Sequence, residues 1–340
     1  MSTSANAPEP APMTAATLAA PGELVVGSFP RPVPGPGELL VEMRYSSVCG
    51  SDVHSVFDGF HRPDMLGRPG YPGHEGTGIV VGPDDALLPP GTAVLTVPPG
   101  PVGQCFAEFQ AVPERYLVPL APDADLRRAV TAQQIGTTLF AMRRVGRPEG
   151  DVAVVIGAGS AGGYFVQHLR RLGYPTVVVT DRDADRLATA ARLGATHTVQ
   201  VPGQRAEELV ADLTGGRGAD VVVEAAGYDD CRAAAIDMVR WAGTVCFFGY
   251  PERNEPSAFP AHLAFQRNVT IVWPSGAQHE PGLRSFHEAL ELVDSGRIEV
   301  DQCLERELPL TETPAALDLA RRAGDGAAKI GIRIAPVSGG

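Results

Sequence analysis

The chain has 340 residues, of which 44% are hydrophobic and 20% are charged, and its formal net charge is -12 with a pI near 5.1. This length is sufficient for two ordinary domains, each with a sizeable core. An acidic chain repels the phosphate backbone of nucleic acids, so the composition argues against a nucleic acid as partner.

The cysteine content and the first residues indicate where the protein works. Five cysteines, an odd number, are scattered along the chain, which argues against a disulfide framework and for a reducing compartment. The opening "MSTSANAPEPAPMTAATLAAPGE" has no basic start and no long apolar run, so we expect neither a signal peptide nor a membrane span. We expect a cytoplasmic protein whose first dozen residues form a loose tail.

The first third of the chain is predicted to be mostly β. Short apolar runs cut by Pro and Gly predict strands in "GELLVEMRYSSV", "GTGIVV", "GTAVLTV" and "AEFQAVPERYLVPL". The next segment, "RRAVTAQQIGTTLFAMRRVG", lacks proline and repeats apolar residues at helical spacing. We interpret this segment as a helix that links two domains.

Strands and helices alternate from residue 150 to about 272. The predicted strands are "DVAVVIGAG", "TVVVTD", "ADVVVEAAG" and "TVCFFGY", and the predicted helices are "SAGGYFVQHLRRLG", "DADRLATAARLG" and "CRAAAIDMVRWAG". Apolar strands separated by helices are typical of a parallel sheet covered on both faces. The last segment returns to short strands around one helix, "TPAALDLARRAG", and is predicted to fold back on the first domain.

A dinucleotide-binding fingerprint, G-x-G-x-x-G, lies between a predicted strand and a predicted helix. It consists of Gly157, Gly159 and Gly162, with Ser160 and Ala161 before the last glycine. The glycines permit a tight turn and a close approach of the backbone to a pyrophosphate at the helix N-terminus. The alternative interpretation is a glycine-rich packing turn.

The following strand ends at Asp181, 19 residues after Gly162. A carboxylate at this point can accept hydrogen bonds from the ribose hydroxyls and would repel a 2'-phosphate. The sequence therefore favours NAD over NADP, while Arg182 and Arg186 keep NADP as the alternative.

Two short segments, "SSVCGSDVHSVF" and "GYPGHEGTG", carry a second group of reactive side chains. Their members are Cys49, Ser51, Asp52, His54, His74 and Glu75. A lone cysteine is more often a small buried apolar residue than a ligand. Thiolate, imidazole and carboxylate together nevertheless form a suitable donor set for zinc with a fourth position open to substrate.

The segments "CGSDVH", "GHEGTG", "VVIGAGSAG", "TD" and "GADVVVEAAG", in this order and spacing, resemble the medium-chain, zinc-dependent alcohol and polyol dehydrogenases. The resemblance extends from about Gly22 to Pro336. It implies the α/β fold class, with a doubly wound parallel Rossmann sheet and a mostly β, GroES-like catalytic domain. The implied bounds are 13–145 for the first part of the catalytic domain, 146–296 for the Rossmann domain and 297–340 for a return segment that completes the catalytic domain. It also implies a small-molecule substrate and a homodimer or homotetramer.

The resemblance also implies roles for single residues. Cys49 and His74 match the catalytic zinc ligands, and Glu75 matches an acidic neighbour that can enter or leave the metal shell. Asp52 matches the carboxylate that orients a ligating histidine. Thr137 matches a residue beside the nicotinamide ring.

Ser51 and His54 match a relay that removes the substrate proton. A zinc ion lowers the pKa of an alcohol, so that the hydroxyl proton can leave near neutral pH. A serine hydroxyl must pass this proton on, and a histidine close to solvent is a suitable acceptor.

Two departures from the family pattern affect the metal. The lobe that carries four cysteines and a structural zinc is shortened to "VPPGPVGQCFAEF", with Cys105 alone, so we expect no structural zinc. The third catalytic ligand, an acidic residue or cysteine in relatives, aligns with Gln133, and Gln134 is its neighbour. Glu75 could complete the shell, Gln133 could itself ligate, or zinc could have been lost.

We therefore expect an NAD-dependent dehydrogenase, with one catalytic zinc, acting between a secondary alcohol (a sugar, cyclitol or specialised metabolite) and its ketone. The alternatives are a metal-free reductase of an activated double bond and a nucleotide-binding protein without turnover. Additional candidates for the pocket or cofactor contacts are Phe57, Phe60, His61, Trp273, Glu224 to Gly227 and Phe248 to Tyr250.

Overall fold

The computed structural model describes residues 10–334. Its strands are β1 (Pro12–Ala20), β2 (Glu23–Pro30), β3 (Glu38–Val48), β4 (Glu75–Gly82), β5 (Ala93–Thr96), β6 (Phe109–Pro113), β7 (Leu117–Pro119), β8 (Val152–Ile156), β9 (Thr176–Asp181), β10 (His197–Gln200), β11 (Ala219–Glu224), β12 (Val239–Phe247), β13 (Thr270–Val272), β14 (Arg306–Pro309) and β15 (Ile330–Arg333). Its α-helices are α1 (Gly50–Phe57), α2 (Leu126–Ala129), α3 (Thr131–Val145), α4 (Ser160–Arg171), α5 (Ala184–Arg192), α6 (Ala206–Thr214), α7 (Asp229–Met238), α8 (Ala261–Gln266), α9 (Arg284–Asp294) and α10 (Thr313–Arg321).

A six-stranded parallel sheet has the strand order β10-β9-β8-β11-β12-β13. Every residue of β8 and β11 is buried, because helices cover both faces of the sheet. This doubly wound arrangement confirms the predicted α/β fold class. The carboxyl ends of its strands meet at one edge, where such sheets bind their ligands.

A second sheet, largely antiparallel, has seven strands. Its order is β14-β15-β3-β4-β5-β7, and β6 also pairs with β3. The long strand β3 pairs with β4 on one side, with Ser47 opposite Glu75, and with β15 on the other, with Val48 opposite Ile330. The end of the chain is thereby placed beside the segment that begins at Cys49.

Helix α3 holds the two sheets in a fixed relation. Ile135 of α3 shares one hydrophobic cluster with Leu95 of β5, Tyr164 of α4 and Phe286 of α9. Gly136 lets α9 approach closely, since a Cβ atom at this position would lie 2.4 Å from the Phe286 ring. The two sheets are thus connected through a packed helix rather than by a loose segment.

Several predicted boundaries were wrong. The helix predicted over "CRAAAIDMVRWAG" ends at Met238, and Val239 already begins β12. Val239 pairs with Ala219 before a register shift, and Ala242 has a φ of +52°, which a continuing helix does not allow. The predicted linking helix is divided into α2 and α3.

The sequence prediction also missed whole elements. It contained no equivalent of β10, α6, α8 or α9, and β1 begins at Pro12, within the segment predicted to be a loose tail. The remainder of that predicted tail, residues 1–9, lies outside the described residues, as do the last residues of the predicted return segment, 335–340. Within residues 10–334, no helix combines the length and the apolar character needed to cross a membrane.

Candidate functional site

The thiol of Cys49, the imidazole of His74 and the carboxylate of Glu75 form one cluster. Each contributes a potential ligand atom, and these atoms lie within 4.8 Å of one another. Among residues 10–334, this is the one group of three or more His, Cys, Asp or Glu side chains with such spacing. Pairing of β3 with β4 produces the cluster, because Cys49 directly follows β3 and Glu75 begins β4.

Asp52 orients the histidine and caps a helix at the same time. Its Oδ1 atom lies 2.8 Å from His74 Nδ1, and its Oδ2 atom accepts a 2.9 Å hydrogen bond from the backbone N–H of Cys49 at the start of α1. Burial alone would lower the pKa of His74, but the Asp52 charge and hydrogen bond raise that pKa well above its ordinary value. The contact with Asp52 orients the ring with Nδ1 toward the carboxylate, and Nε2 lies 3.4 Å from Ser51 Oγ.

Glu75 is 1% exposed, and its two oxygens have different surroundings. Oε2 lies 2.7 Å from Lys329 Nζ and also accepts a hydrogen bond from Ser47 Oγ. Oε1 is buried without a hydrogen-bond partner. Burial would raise the pKa of Glu75, but the Lys329 ammonium lowers it below its ordinary value, so the carboxylate is ionised with one oxygen unpaired.

Lys329 is the residue that sequence reasoning missed. It is the sole lysine of the chain, and the sequence analysis assigned it no role. Its ammonium is buried against Glu75, which raises the pKa of Lys329 although burial alone would lower it. The available signal was a single cation directly before the apolar strand "IGIRI", where a charged side chain needs a partner.

The two glutamines of the predicted third-ligand position lie on α3, and both are buried. The Oε1 atom of Gln134 has no hydrogen-bond partner. The Thr137 hydroxyl donates a 2.7 Å hydrogen bond to the Gln134 carbonyl oxygen of the same helix. The structure thus places Gln133, Gln134 and Thr137 on one helix.

His54 lies on α1, one turn after Ser51, so that both side chains share a face of the helix. Its Nδ1 atom is 2.8 Å from Asp58 Oδ2, and its ring contacts those of Phe60 and Tyr250. Phe60, a predicted pocket residue, and Tyr250, predicted to lie in a segment that contacts the cofactor, therefore lie beside the relay histidine.

Phe57 and Trp273, two further aromatic candidates, have different neighbours. The ring of Phe57 lies 4.5 Å from the Arg321 guanidinium, and Trp273 packs against Phe247 with ring centroids 4.8 Å apart. His61 has a buried Nδ1 atom without a hydrogen-bond partner.

The glycine-rich segment forms the turn between β8 and α4. Gly157 has a φ of +96°, and a Cβ atom at Gly162 would lie 1.9 Å from the Gly157 carbonyl oxygen, so only glycine fits these two positions. The backbone N–H of Ser160, in the first turn of α4, donates to the Ala328 carbonyl oxygen at 3.2 Å. The turn and the helix N-terminus have the geometry that suits a pyrophosphate, next to the return of the chain.

Asp181 ends β9 beside this turn. Its carboxylate accepts hydrogen bonds from the backbone N–H groups of Ala158, at 2.6 Å, and Asp183, at 2.9 Å. The Arg182 guanidinium lies over the Tyr228 ring at 5.6 Å, and Arg186 donates to the Ala327 carbonyl oxygen at 3.0 Å. Asp181 thus fixes the glycine turn as well as presenting a carboxylate at the strand end.

Cys105 is fully buried between Thr96 and Gln110, and burial raises its pKa to about 12. A thiol with such a pKa is a packing residue at neutral pH.

The chain is similar to proteins of known families. The profile of the family "Alcohol dehydrogenase GroES-like domain" matches residues 35–122, and that of the family "Zinc-binding dehydrogenase" matches residues 161–295. A probable zinc-binding alcohol dehydrogenase of Mycobacterium tuberculosis is 30% identical over 92% of this chain and 87% of its own length. A probable D-xylulose reductase A of Arthroderma otae is 29% identical over 85% of this chain and 89% of its own length.

Among solved structures, the alcohol dehydrogenase TADH from Thermus sp. ATN1 aligns with a TM-score of 0.81. The two sequences are 26% identical, and the alignment covers 95% of this chain and 100% of that chain.

The buried ion pair generates a prediction about stability. Lys329→Met should lower the free energy of unfolding by about 3–5 kcal/mol, because it leaves the Glu75 carboxylate buried and unpaired. The double variant with Glu75→Gln should recover most of this loss, since both partners are then neutral. Urea denaturation of the three proteins measures the effect.

Arg333→Met is the matched control for this prediction. Arg333 is the last residue of β15, the strand that directly follows Lys329. Its side chain pairs with Glu307 at the surface. Its loss should cost about 1 kcal/mol or less. Equal losses in the two single variants would contradict a special contribution of the buried pair.

Proposed function

Because the chain belongs to the family of medium-chain, zinc-binding alcohol dehydrogenases, we propose that it interconverts a secondary alcohol and its ketone with NAD and one catalytic zinc ion. The observation that carries the proposal is the cluster of Cys49, His74 and Glu75, in which Glu75 Oε1 is buried and unpaired. A buried anionic oxygen without a partner is costly, and a cation among these three donors would remove that cost.

The donor set fits zinc. A thiolate, an imidazole nitrogen and a carboxylate oxygen leave a fourth tetrahedral position for substrate. When bound, zinc would supply a Lewis acid that lowers the pKa of the substrate hydroxyl. Of the three interpretations of the ligand shell, we favour the one in which Glu75 completes it and Gln133 lies nearby as a neutral residue.

The chain's own residues account for the remaining steps. Asp52 keeps a proton on His74 Nδ1, so that His74 Nε2 is free to ligate. Ser51 Oγ, 3.4 Å from His74 Nε2, is placed to accept the substrate proton. His54, one helical turn further, receives it close to solvent.

The cofactor site supports NAD. The turn formed by Gly157, Gly159 and Gly162 at the N-terminus of α4 suits a pyrophosphate, and Asp181 presents a carboxylate where a 2'-phosphate would be repelled. When bound, NAD would supply an acceptor for the hydride of the alcohol carbon. Ala161, Arg182 and Thr137 are proposed as further cofactor contacts.

We propose a polyol as the substrate class. Supporting relatives include the D-xylulose reductase of Arthroderma otae and a sorbitol dehydrogenase of Bombyx mori, which is 26% identical over 90% of this chain. A metal-free reductase needs neither Cys49 nor the orphaned Glu75 oxygen, and a protein without turnover leaves Ser51 and His54 idle. The cluster therefore favours the dehydrogenase over both alternatives.

The proposed organisation keeps the domain bounds 13–145, 146–296 and 297–340, a cytoplasmic location and a homodimer or homotetramer. Exposed aromatic residues support the oligomer. Trp241 is 67% exposed and Phe265 is 84% exposed, next to the edge strand β13.

Phe265→Glu should shift the sedimentation profile toward smaller species if this edge forms the interface between subunits. An unchanged profile of an oligomer would place the interface elsewhere.

Removal of the thiol tests the metal mechanism. Cys49→Ala should lose bound zinc, measured by elemental analysis, and should slow NAD-linked oxidation of sorbitol, xylitol and butane-2,3-diol by at least about 100-fold. Cys231→Ala, at a half-buried thiol outside the cluster, is the control and should retain zinc. Wild-type rates in zinc-free Cys49→Ala would exclude a metal-assisted reaction.

The cofactor preference is tested at Asp181. Asp181→Asn should raise the KM for NAD and reduce the preference for NAD over NADP by about tenfold or more, because the charge that repels a 2'-phosphate is lost. Asp185→Asn removes a neighbouring charge in the first turn of α5 and should leave the preference unchanged. An unaltered preference in Asp181→Asn would contradict the proposed role.

A further inference from the structure

The imidazole of His54 is held on three sides. Asp58 Oδ2 lies 2.8 Å from its Nδ1 atom. The ring of Tyr250, which follows β12 of the parallel sheet, stacks on it with centroids 5.7 Å apart and planes 25° apart. The ring of Phe60 meets it edge-on at 5.9 Å and also contacts Tyr250 at 5.1 Å. Position, plane and one nitrogen of the ring are therefore fixed, and Nε2 is the nitrogen left free.

Helix stability does not explain Asp58. This residue is the C-cap of α1, where the carbonyl ends of the helix carry partial negative charge and an aspartate is unfavourable. Its backbone N–H closes the helix by donating to the His54 carbonyl oxygen at 3.0 Å, which any residue except proline could do. The side chain's partner is the His54 ring, so the carboxylate acts on the imidazole.

We propose that Asp58 is a positioning residue that holds His54 as the Nδ1–H tautomer and presents Nε2 as the proton acceptor. The proposal rests on the proposed dehydrogenase function. The proton that leaves the substrate hydroxyl ends on Nε2, and the resulting imidazolium remains paired with the Asp58 carboxylate. The proton then passes to water, since the His54 side chain is 17% exposed and the Asp58 side chain 36% exposed.

Among residues 10–334, Asp58 is the charged side chain that pairs with the His54 ring. From the parallel sheet, the titratable group facing His54 is the Tyr250 phenol, whose pKa is raised by burial, so it is neutral at physiological pH. Helix α10 packs against α1 and carries Arg321, whose guanidinium lies over Phe57. The other charges in that part of α10, Asp318 and Arg322, pair with each other at 3.2 Å.

The tautomer can be observed without any ligand. Protein labelled with 15N-histidine is recorded at a pH where His54 is neutral, and His54→Gln identifies its signals by their disappearance. We expect the Nδ1–H pattern in the wild type and in Asp58→Asn, whose amide oxygen still accepts the hydrogen bond. Asp58→Ala should lose that pattern, because no acceptor then holds the proton on Nδ1. Asp64→Asn removes a surface carboxylate that pairs with Arg62 and should leave the spectrum unchanged.

Kinetics distinguish positioning from a structural role. With NAD and the fastest substrate of the sorbitol, xylitol and butane-2,3-diol panel, Asp58→Ala should lower kcat about tenfold, less than loss of the acid–base group itself, with little change in the KM of the alcohol. In the His54→Gln background, Asp58→Ala should have no further effect.

Two results would overturn the proposal. One is an unchanged His54 tautomer in Asp58→Ala. The other is an equal loss of kcat from Asp58→Ala with and without His54. If the wild type oxidises no alcohol of the panel and binds no zinc, the proposed function fails, while the 15N spectra still decide whether Asp58 sets the tautomer.

Discussion

The buried ion pair between Lys329 and Glu75 is the constraint on which the site depends. Two charges taken out of water are tolerated when their partners are close, and each hydrogen-bonding atom that is left without a partner adds to the cost. Here the pair forms because β15 joins the sheet beside β3, which places Lys329 next to the segment around Cys49. The residue before it, Ala328, accepts a hydrogen bond from Ser160 in the glycine turn. The returning chain therefore contacts the cluster of Cys49, His74 and Glu75 and the glycine-rich turn through consecutive residues.

Electrostatic compensation connects this pair to the proposed cation. Asp52 and Glu75 are buried carboxylates, and Cys49 would be a thiolate when it ligates a metal. When His74 is a neutral ligand, the buried cation that the chain places against these three negative charges is the Lys329 ammonium. A divalent cation would make the cluster neutral, which is the state that a buried site requires. Glu75 Oε1, which has no hydrogen-bond partner, is the atom at which a cation would compensate this negative charge.

The sequence predicts those parts of the site that reside in short segments. The turn at Gly157 and Gly162, the carboxylate at the end of β9, and the proximity of Cys49 to His74 each follow from a local pattern and from strand pairing. Lys329 could not be placed in the same way, because its partner lies more than 250 residues away along the chain. The sequence analysis did not single out Asp58, because its role depends on the contact of its carboxylate with the His54 ring at the end of α1. The start of β12 was misplaced because helix-compatible residues continue past Met238, and pairing with β11 overrides their propensity.

The neutral residue at the third-ligand position is understandable in these terms. Glu75 can offer Oε1 to a cation while Oε2 stays with Lys329 and Ser47, so ligation does not require the ion pair to break. An additional carboxylate or thiolate at position 133 would then bring a fourth negative charge into a cluster that one ammonium and one divalent cation already balance. Burial makes such an excess charge costly. Gln133 avoids that cost, and the amide at this position is consistent with Glu75, rather than the residue on α3, as the anionic ligand that completes the shell.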